Sequence, residues 1–103
     1  MSKIITVLNQ ETLDKIDDIL AKACENDIDI TVNISVRNIS EISLACSPSD
    51  IEIGEDKLLI NYNILEYSIK NIKSSKVIII ESDCETVIIL RNSKYFCSII
   101  LLD

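Results

Sequence analysis

Apolar and polar residues alternate strictly between positions 28 and 37. Polar residues fill the odd positions, and the even positions hold Ile28, Ile30, Val32, Ile34 and Val36. Because successive side chains of a strand point to opposite faces, this period of two predicts a β-strand with one dry and one wet face. The alternation resumes from Ile42 to Cys46, which predicts a second strand that ends before Pro48.

Between residues 10 and 25 the apolar spacing changes to three or four. The apolar residues of this segment are Leu13, Ile16, Ile19, Leu20, Ala23 and Cys24. This spacing predicts an amphipathic helix with one apolar stripe. Asn9 is suited to cap the N-terminus of that helix, and Asn26 is suited to the position that ends it.

The second half of the chain contains short apolar segments separated by polar turns. Segments 51–53 and 57–62 flank Gly54, which predicts a hairpin in which this glycine adopts a positive φ. Segments 76–81, 85–90 and 95–102 predict three more strands. Residues 63–73 fit a helix face or a strand, and their tyrosine and isoleucine favour the strand.

The last three strands are apolar at consecutive positions, namely 77–80, 87–90 and 99–102. Since consecutive residues point to opposite faces, these strands present apolar groups on both sides of a sheet. A helix of about 15 residues covers only two or three strands on one side. The other side must be closed by the sheet curling into a roll or by a second copy of the chain. Curling of a sheet usually requires glycine kinks and bulges, and this chain has only one glycine. We therefore expect a homodimer formed through the C-terminal strands.

These elements predict an α+β fold. One N-terminal amphipathic helix packs on a mostly antiparallel, strongly twisted sheet or roll of six to eight strands. The 103 residues are expected to form a single domain. The chain begins without the apolar core of a signal peptide, and its longest apolar runs are four residues. We therefore expect a cytoplasmic protein that does not enter a membrane.

The composition argues against several kinds of chemistry. The chain has no histidine, which excludes His-based proton shuttles, His-activated nucleophiles and His metal ligands. Its one glycine excludes the glycine-rich loops that cradle phosphates. We therefore predict no catalytic residue, no cofactor and no bound metal, and we expect the protein not to be an enzyme.

Acidic residues outnumber basic ones by 17 to 10, which gives a net charge of -7. Such a chain is expected to repel nucleic acid and to prefer protein partners with a basic surface. Carboxylates at turns can also hold a hard divalent cation, but the spacing of a calcium-binding loop is absent. The acidic residues cluster around two predicted hairpins, and they form the candidate partner-binding surface: Asp50, Glu52, Glu55, Asp56, Glu81, Asp83 and Glu85.

Two smaller groups carry weaker signals. The basic concentration of the chain consists of Lys70, Lys73, Lys76, Arg91 and Lys94, which we expect to be solvated. The four cysteines are Cys24, Cys46, Cys84 and Cys97. Their spacing contains no Cys-x-x-Cys pair, so we expect them to be reduced and, apart from Cys84, to serve as small buried apolar residues. Cys84 is the exception because it lies between Asp83 and Glu85, whose carboxylates disfavour a thiolate.

The sequence favours a non-catalytic protein-interaction module. We expect it to dock on a larger, basic protein, in the manner of an inhibitor, an immunity protein or a regulator. The alternative is a small-molecule-binding domain with its ligand between the helix and the sheet.

Overall fold

The computed structural model describes residues 2–37, 40–62 and 65–102. These residues form one α-helix, nine strands and a short 3-10 turn at Pro48–Asp50. In chain order the elements are β1 (Ser2–Val7), α1 (Gln10–Glu25), β2 (Ile30–Val36), β3 (Ser40–Cys46), β4 (Ile51–Ile53), β5 (Lys57–Tyr62), β6 (Leu65–Lys70), β7 (Lys76–Glu81), β8 (Glu85–Arg91) and β9 (Tyr95–Leu102).

The predicted α+β class is confirmed. The helix has the predicted bounds, and each predicted strand corresponds to an observed one. The ambiguous segment 63–73 contains the strand β6, although residues 63 and 64 lie outside the described residues. The described residues contain nine strands rather than the expected six to eight, and these strands are divided between two sheets rather than gathered in one.

The larger sheet, sheet A, has six strands in the order β1-β7-β8-β9-β2-β3. Sheet B has three strands in the order β4-β5-β6. Every neighbouring pair is antiparallel. Among the described residues β1 pairs only with β7 and β3 only with β2, so sheet A is open at both edges and does not close into a roll.

One face of sheet A, the inner face, is covered by α1 and sheet B. A single cluster of buried side chains contains residues of the helix and of both sheets. The helix side chains border β1, β7, β8 and β9, whereas β6 lies beside the ends of β2 and β9. The opposite face, the outer face, is covered by no other element of the described chain. Sheet B therefore covers apolar side chains of the inner face only, and the apolar side chains of the outer face are left uncovered by the described chain.

Local hydrogen bonds set the ends of the helix. The Asn9 side chain accepts a hydrogen bond from the Thr12 backbone N–H at 2.9 Å, which confirms it as the N-cap. The Thr12 hydroxyl donates to the Val7 carbonyl at 2.9 Å and ties the helix to β1. Asn26 is the C-cap, but its φ is -94°, and the left-handed conformation falls on Asp27 with φ 53°. The turn therefore occurs one residue later than expected.

Two details of the sequence interpretation are wrong. Gly54 does not adopt a positive φ, and a Cβ there would meet the Lys57 carbonyl oxygen at an ordinary 3.6 Å. The hairpin is instead closed by the Gly54 N–H, which donates to that oxygen at 2.8 Å. Cys24 is exposed and does not belong to the buried stripe of the helix, which consists of Thr12, Leu13, Ile16, Leu20 and Ala23.

Candidate functional site

Three of the seven predicted partner-binding acids are engaged within the chain. The Asp50 carboxylate accepts from the Ser47 N–H at 3.1 Å and completes a capping box around the 3-10 turn. The Asp56 carboxylate accepts from the Lys73 N–H at 3.1 Å. Glu81 forms an ion pair with the Lys15 ammonium on α1 at 3.4 Å. These three carboxylates stabilise the fold through contacts within the chain, so a partner would have to compete with those contacts.

The other four predicted acids are exposed, but they do not form one surface. Glu52 and Glu55 belong to the hairpin of β4 and β5 in sheet B, whereas Asp83 and Glu85 belong to the β7–β8 turn of sheet A. No group of three or more metal-ligating side chains is assembled within the described ranges. The structure thus places the seven acids in two separate groups.

A third acidic group, on α1, was missed by the sequence interpretation. Glu11, Asp14, Asp18 and Glu25 are exposed and spaced by three, four and seven residues, so they lie along one side of the helix. We call these four residues the acidic stripe. Residues 10–29 carry seven acids and only two lysines. The helical spacing of the acids, considered together with that of the apolar residues, would have revealed the stripe.

The charges around the stripe are crowded. Partial desolvation raises the pKa of Asp17, and the neighbouring carboxylates of Asp14 and Asp18 raise it further. One of the two nearby lysines, Lys15, is directed to Glu81 on sheet A. The stripe therefore presents a negative surface with little neutralisation from within the chain.

The outer face of sheet A is the second unusual surface. Its β1, β7, β8 and β9 positions are mostly apolar, and several of these side chains are exposed: Ile5 by 58%, Val7 by 50%, Phe96 by 41% and Leu102 by 61%. The centre of this region is formed by half-buried Ile78, Ile80, Val87, Ile89 and Ile100. We call this region the apolar patch. A contiguous exposed patch of this kind commonly marks an interaction site.

The β2 and β3 side of the same face is polar. The Asn33 amide donates to the Ser98 hydroxyl at 3.3 Å, and the Ser43 hydroxyl donates to the Asn33 carbonyl oxygen at 2.7 Å. This network joins three strands across the outer face. The outer face is thus divided into the apolar patch and a smaller polar region on β2 and β3, which we call the polar region.

The predicted basic group is distributed over different surfaces. Lys76 and Arg91 are cross-strand partners at one end of the outer face. Lys70 and Lys94 instead line a groove of about 460 Å³ between β6 and the ends of β2 and β9. Lys73 is exposed in the loop before β7. The five side chains do not form one phosphate-binding cluster.

The groove beside Lys70 and Lys94 is also lined by Val36, Ile69 and Tyr95. The two spaces between α1 and sheet A, where the alternative interpretation placed a ligand, are smaller at about 220 and about 270 Å³. Ligand sites for drug-sized molecules usually occupy about 300–1,000 Å³. The groove between the sheets is therefore better suited to a small molecule than the helix–sheet interface is.

The cysteines divide into two classes. Cys46 and Cys97 are buried on the inner face, while Cys24 and Cys84 are exposed. The predicted burial is therefore correct for Cys46 and Cys97 and wrong for Cys24. Burial raises the pKa of Cys46 to about 11, with smaller contributions from Asp50 and Asp29. Burial also raises the pKa of Cys97 to about 12. Neither inner thiol is suited to act as a nucleophile at neutral pH.

One buried polar pair connects the strands to the loop before β7. The Tyr95 hydroxyl donates to the Ser75 hydroxyl at 2.9 Å, and the latter donates to the Ile72 carbonyl. Burial raises the pKa of Tyr95, while the hydrogen bond to Ser75 opposes that rise. Every buried side-chain polar atom in the described part of the chain has a hydrogen-bond partner. The pair is thus satisfied internally and is not directed at a ligand.

No helix in the described ranges has both the length and the apolar content needed to cross a membrane. Comparisons with protein-family models, with curated proteins and with solved structures found no match. The candidate functional surfaces are therefore the acidic stripe, the apolar patch and the groove.

Proposed function

We propose that this protein is a non-catalytic interaction module that docks on a larger protein with a basic surface. The observation that carries the proposal is the acidic stripe, an exposed row of carboxylates on a helix whose opposite face is fixed in the core. Because the helix backbone is held by packing, these charges are presented in a defined arrangement. A basic cleft or groove on the partner is the complementary surface.

The physical basis of the proposal is long-range attraction followed by local pairing. A net charge of -7 on a protein of 11.6 kDa accelerates encounter with a positive partner. This attraction comes from the negative electrostatic field of the whole protein. The exposed acids that were predicted from the sequence add to it, namely Glu52, Glu55, Asp83 and Glu85. Asp50, Asp56 and Glu81 are included in the proposal as contributors to the field rather than as primary contacts. The same charge disfavours nucleic acid as a partner.

The proposal includes two finer features. We propose that the protein acts in the cytoplasm, on the sequence grounds given above. We also propose that it is a homodimer formed through the C-terminal strands, because their outer positions form the apolar patch. The dimer and the acidic stripe use different surfaces, so one does not exclude the other.

The experiment compares two variants of equal net charge. Asp14→Lys with Asp18→Lys reverses the centre of the acidic stripe, and Glu52→Lys with Glu55→Lys reverses two exposed acids of sheet B. Immobilised wild-type protein and both variants are incubated with native lysate at low and physiological salt, and retained proteins are identified by mass spectrometry. We expect a basic protein that the wild type and the sheet B variant retain and the stripe variant loses. Equal retention by all three would contradict the use of the stripe.

A second candidate function, small-molecule binding, is favoured by the groove of about 460 Å³. Its Lys70 and Lys94 ammonium groups beside apolar walls suit a small anionic ligand with an apolar body. A thermal-shift screen of such compounds tests this candidate, with Lys70→Ala combined with Lys94→Ala as the control variant. A compound that raises the Tm of the wild type but not of the variant would establish the groove as its site.

A further inference from the structure

We propose that the apolar patch is covered by a second copy of this chain in an antiparallel, two-fold arrangement centred on β8. The inference rests on the dimer included in the proposed function and assigns its surface, its orientation and its contacting charges. It follows from the order of side chains along β8 and from the strands on either side.

The outer positions of β8 form a charge-complementary sequence. Residues 86, 88 and 90 point to the inner face, where Ile88 and Leu90 are fully buried. The outer face therefore holds Glu85, Val87, Ile89 and Arg91, with an acid at one end, a base at the other and apolar residues between them. The two charges are about 20 Å apart along the strand.

Among the described residues, neither charge is neutralised by an ion pair. The ion pair of the described residues joins Lys15 and Glu81, so it involves neither Glu85 nor Arg91. Across the sheet Arg91 lies opposite Lys76 on β7 and Phe96 on β9, whereas Glu85 lies opposite Leu102 on β9. Along β8 the outer face is therefore basic at the Arg91 end and acidic at the Glu85 end near the β7–β8 turn, while Lys3 on β1 lies beside Ile80 toward the acidic end.

When the strands of the two sheets are kept near alignment, there are two face-to-face arrangements with two-fold symmetry, and charge selects one of them. With the axis along β8, Arg91 faces Arg91 of the second copy and Glu85 faces Glu85, which is repulsive. With the axis across the strands between Val87 and Ile89, Arg91 faces Glu85 of the second copy, and this pairing occurs twice. The isoleucine and valine side chains then meet in the middle. A two-fold interface is self-complementary in this way by construction.

The dimensions agree with this occupant. Two packed sheets lie about 10 Å apart, and their strands are roughly 30° from alignment. Two long side chains such as Arg and Glu, one from each sheet, span this distance. Six strands at about 4.8 Å and a length of about 20 Å give the outer face a projected area of roughly 600 Å². The accessible area of a side-chain surface exceeds its projection, and a standard interface uses about 800 Å² per partner. The polar region around Asn33 then forms the rim of the interface.

The test uses charge reversal on the full chain, with the dissociation constant measured by analytical ultracentrifugation. Arg91→Glu and Glu85→Arg are each expected to raise the dimer Kd at least about tenfold, because each places like charges opposite one another twice. Combining both changes in one chain restores the two attractive pairs and should return the Kd to near the wild-type value. Glu52→Arg, on sheet B, is the control and should leave the Kd unchanged.

Mixing the two single variants gives the sharpest result. In the proposed arrangement a heterodimer of Arg91→Glu with Glu85→Arg regains both attractive pairs, so native mass spectrometry should show the heterodimer in excess over either homodimer. Circular dichroism and urea midpoints of the dilute variants verify that each one folds. A wild-type dimer without this preference would overturn the arrangement but leave the proposed dimer intact. A wild-type chain that stays at 11.6 kDa throughout would overturn both.

Discussion

The two faces of sheet A are built from the same strands, yet their side chains have different surroundings. In β7, Val77 and Ile79 are buried on the inner face, whereas Ile78 and Ile80 are only half-buried on the outer face. The chemical character of these four residues is nearly the same. The difference comes from what lies above them, since α1 and sheet B cover one face and no described element covers the other.

This comparison shows that the apolar character of a residue does not by itself determine whether its side chain is buried. An apolar inner position is required by the core, where a buried charge costs several kcal/mol. An apolar outer position has no such role within one chain, and its side chain remains in contact with water. An exposed apolar region of this extent is better explained by a partner than by folding alone.

The largest expected difference between the faces is at two consecutive residues of β8. Ile88→Lys places a charge in the core and should prevent folding, because Ile88 is fully buried. Ile89→Lys places the same charge on the outer face, where it should change the unfolding free energy by less than about 1 kcal/mol. Urea unfolding of dilute protein measures both effects. Similar midpoints for the two variants would show that the faces are wrongly assigned.

The cysteines provide a chemical comparison of covered and uncovered positions. The thiols of Cys46 and Cys97 are buried, and their pKa values are raised to about 11 and about 12. Alkylation of the native protein at pH 8 should therefore modify Cys24 and Cys84 at least about 100-fold faster. Timed quenching and peptide mass spectrometry give the four rates. Rapid labelling of Cys97 in the folded protein would mean that the inner face opens readily.

Before alkylation, the same samples report the redox state. We expect four reduced thiols and no disulfide when the protein is purified anaerobically. An intact mass that is two hydrogens below the reduced mass would contradict this expectation.

A smaller effect is expected at the adjacent residues Tyr95 and Phe96, which point to opposite faces. Tyr95→Phe removes the hydrogen bond to the buried Ser75 hydroxyl and should destabilise the fold by about 1 kcal/mol. Phe96→Tyr adds a hydroxyl on the exposed outer face and should stay within about 0.5 kcal/mol. Equilibrium unfolding of both variants provides the comparison. A larger loss for Phe96→Tyr than for Tyr95→Phe would reverse the assignment.

The smallest effect is expected on the helix that covers the inner face. Because the pKa of Asp17 is raised by partial desolvation and by Asp14 and Asp18, its charged form is less favourable in the folded chain than in the unfolded one. Its contribution to stability is thus full at acidic pH and is lost as the pH rises through the folded pKa. Asp17→Asn should stabilise the protein at pH 7 by less than about 0.5 kcal/mol.

The pH dependence distinguishes this effect from a change in helix propensity. Between pH 7 and pH 3 the advantage of Asp17→Asn should disappear, because the wild-type carboxyl becomes neutral. Glu52→Gln in β4 serves as the control for removal of one exposed negative charge. An advantage for Asp17→Asn that persists at pH 3 would assign the effect to something other than charge.

Periodicity was sufficient to predict the elements of the fold. Two patterns depend only on local geometry, which the sequence encodes directly. They are the strict alternation over residues 28–37, which contain β2, and the spacing of three or four residues in α1. The consecutive apolar residues of β7 and β8 also predicted correctly that both faces of the sheet are apolar. Gly54 shows the limit of such reasoning, because a hairpin hydrogen bond to Lys57 replaced the expected positive φ.

The division into two sheets and the roles of individual acids were not predictable in the same way. Pairing of β4, β5 and β6 apart from the other strands depends on long-range packing, and no local pattern specifies it. Asp56 resembles a free surface acid in the sequence, yet its carboxylate binds the Lys73 backbone 17 residues away. Glu81 likewise meets Lys15 only after the helix has packed on the sheet.

The most direct test of the central claim is the mass of the wild-type protein in solution. Light scattering over a tenfold dilution should give twice the chain mass of 11.6 kDa at high concentration, with a decrease toward the chain mass as the outer faces separate. The Ile89→Lys variant, measured in parallel, should remain at the chain mass throughout. A wild-type mass near 11.6 kDa at every concentration would contradict the account, because the apolar patch would then have no second copy to cover it.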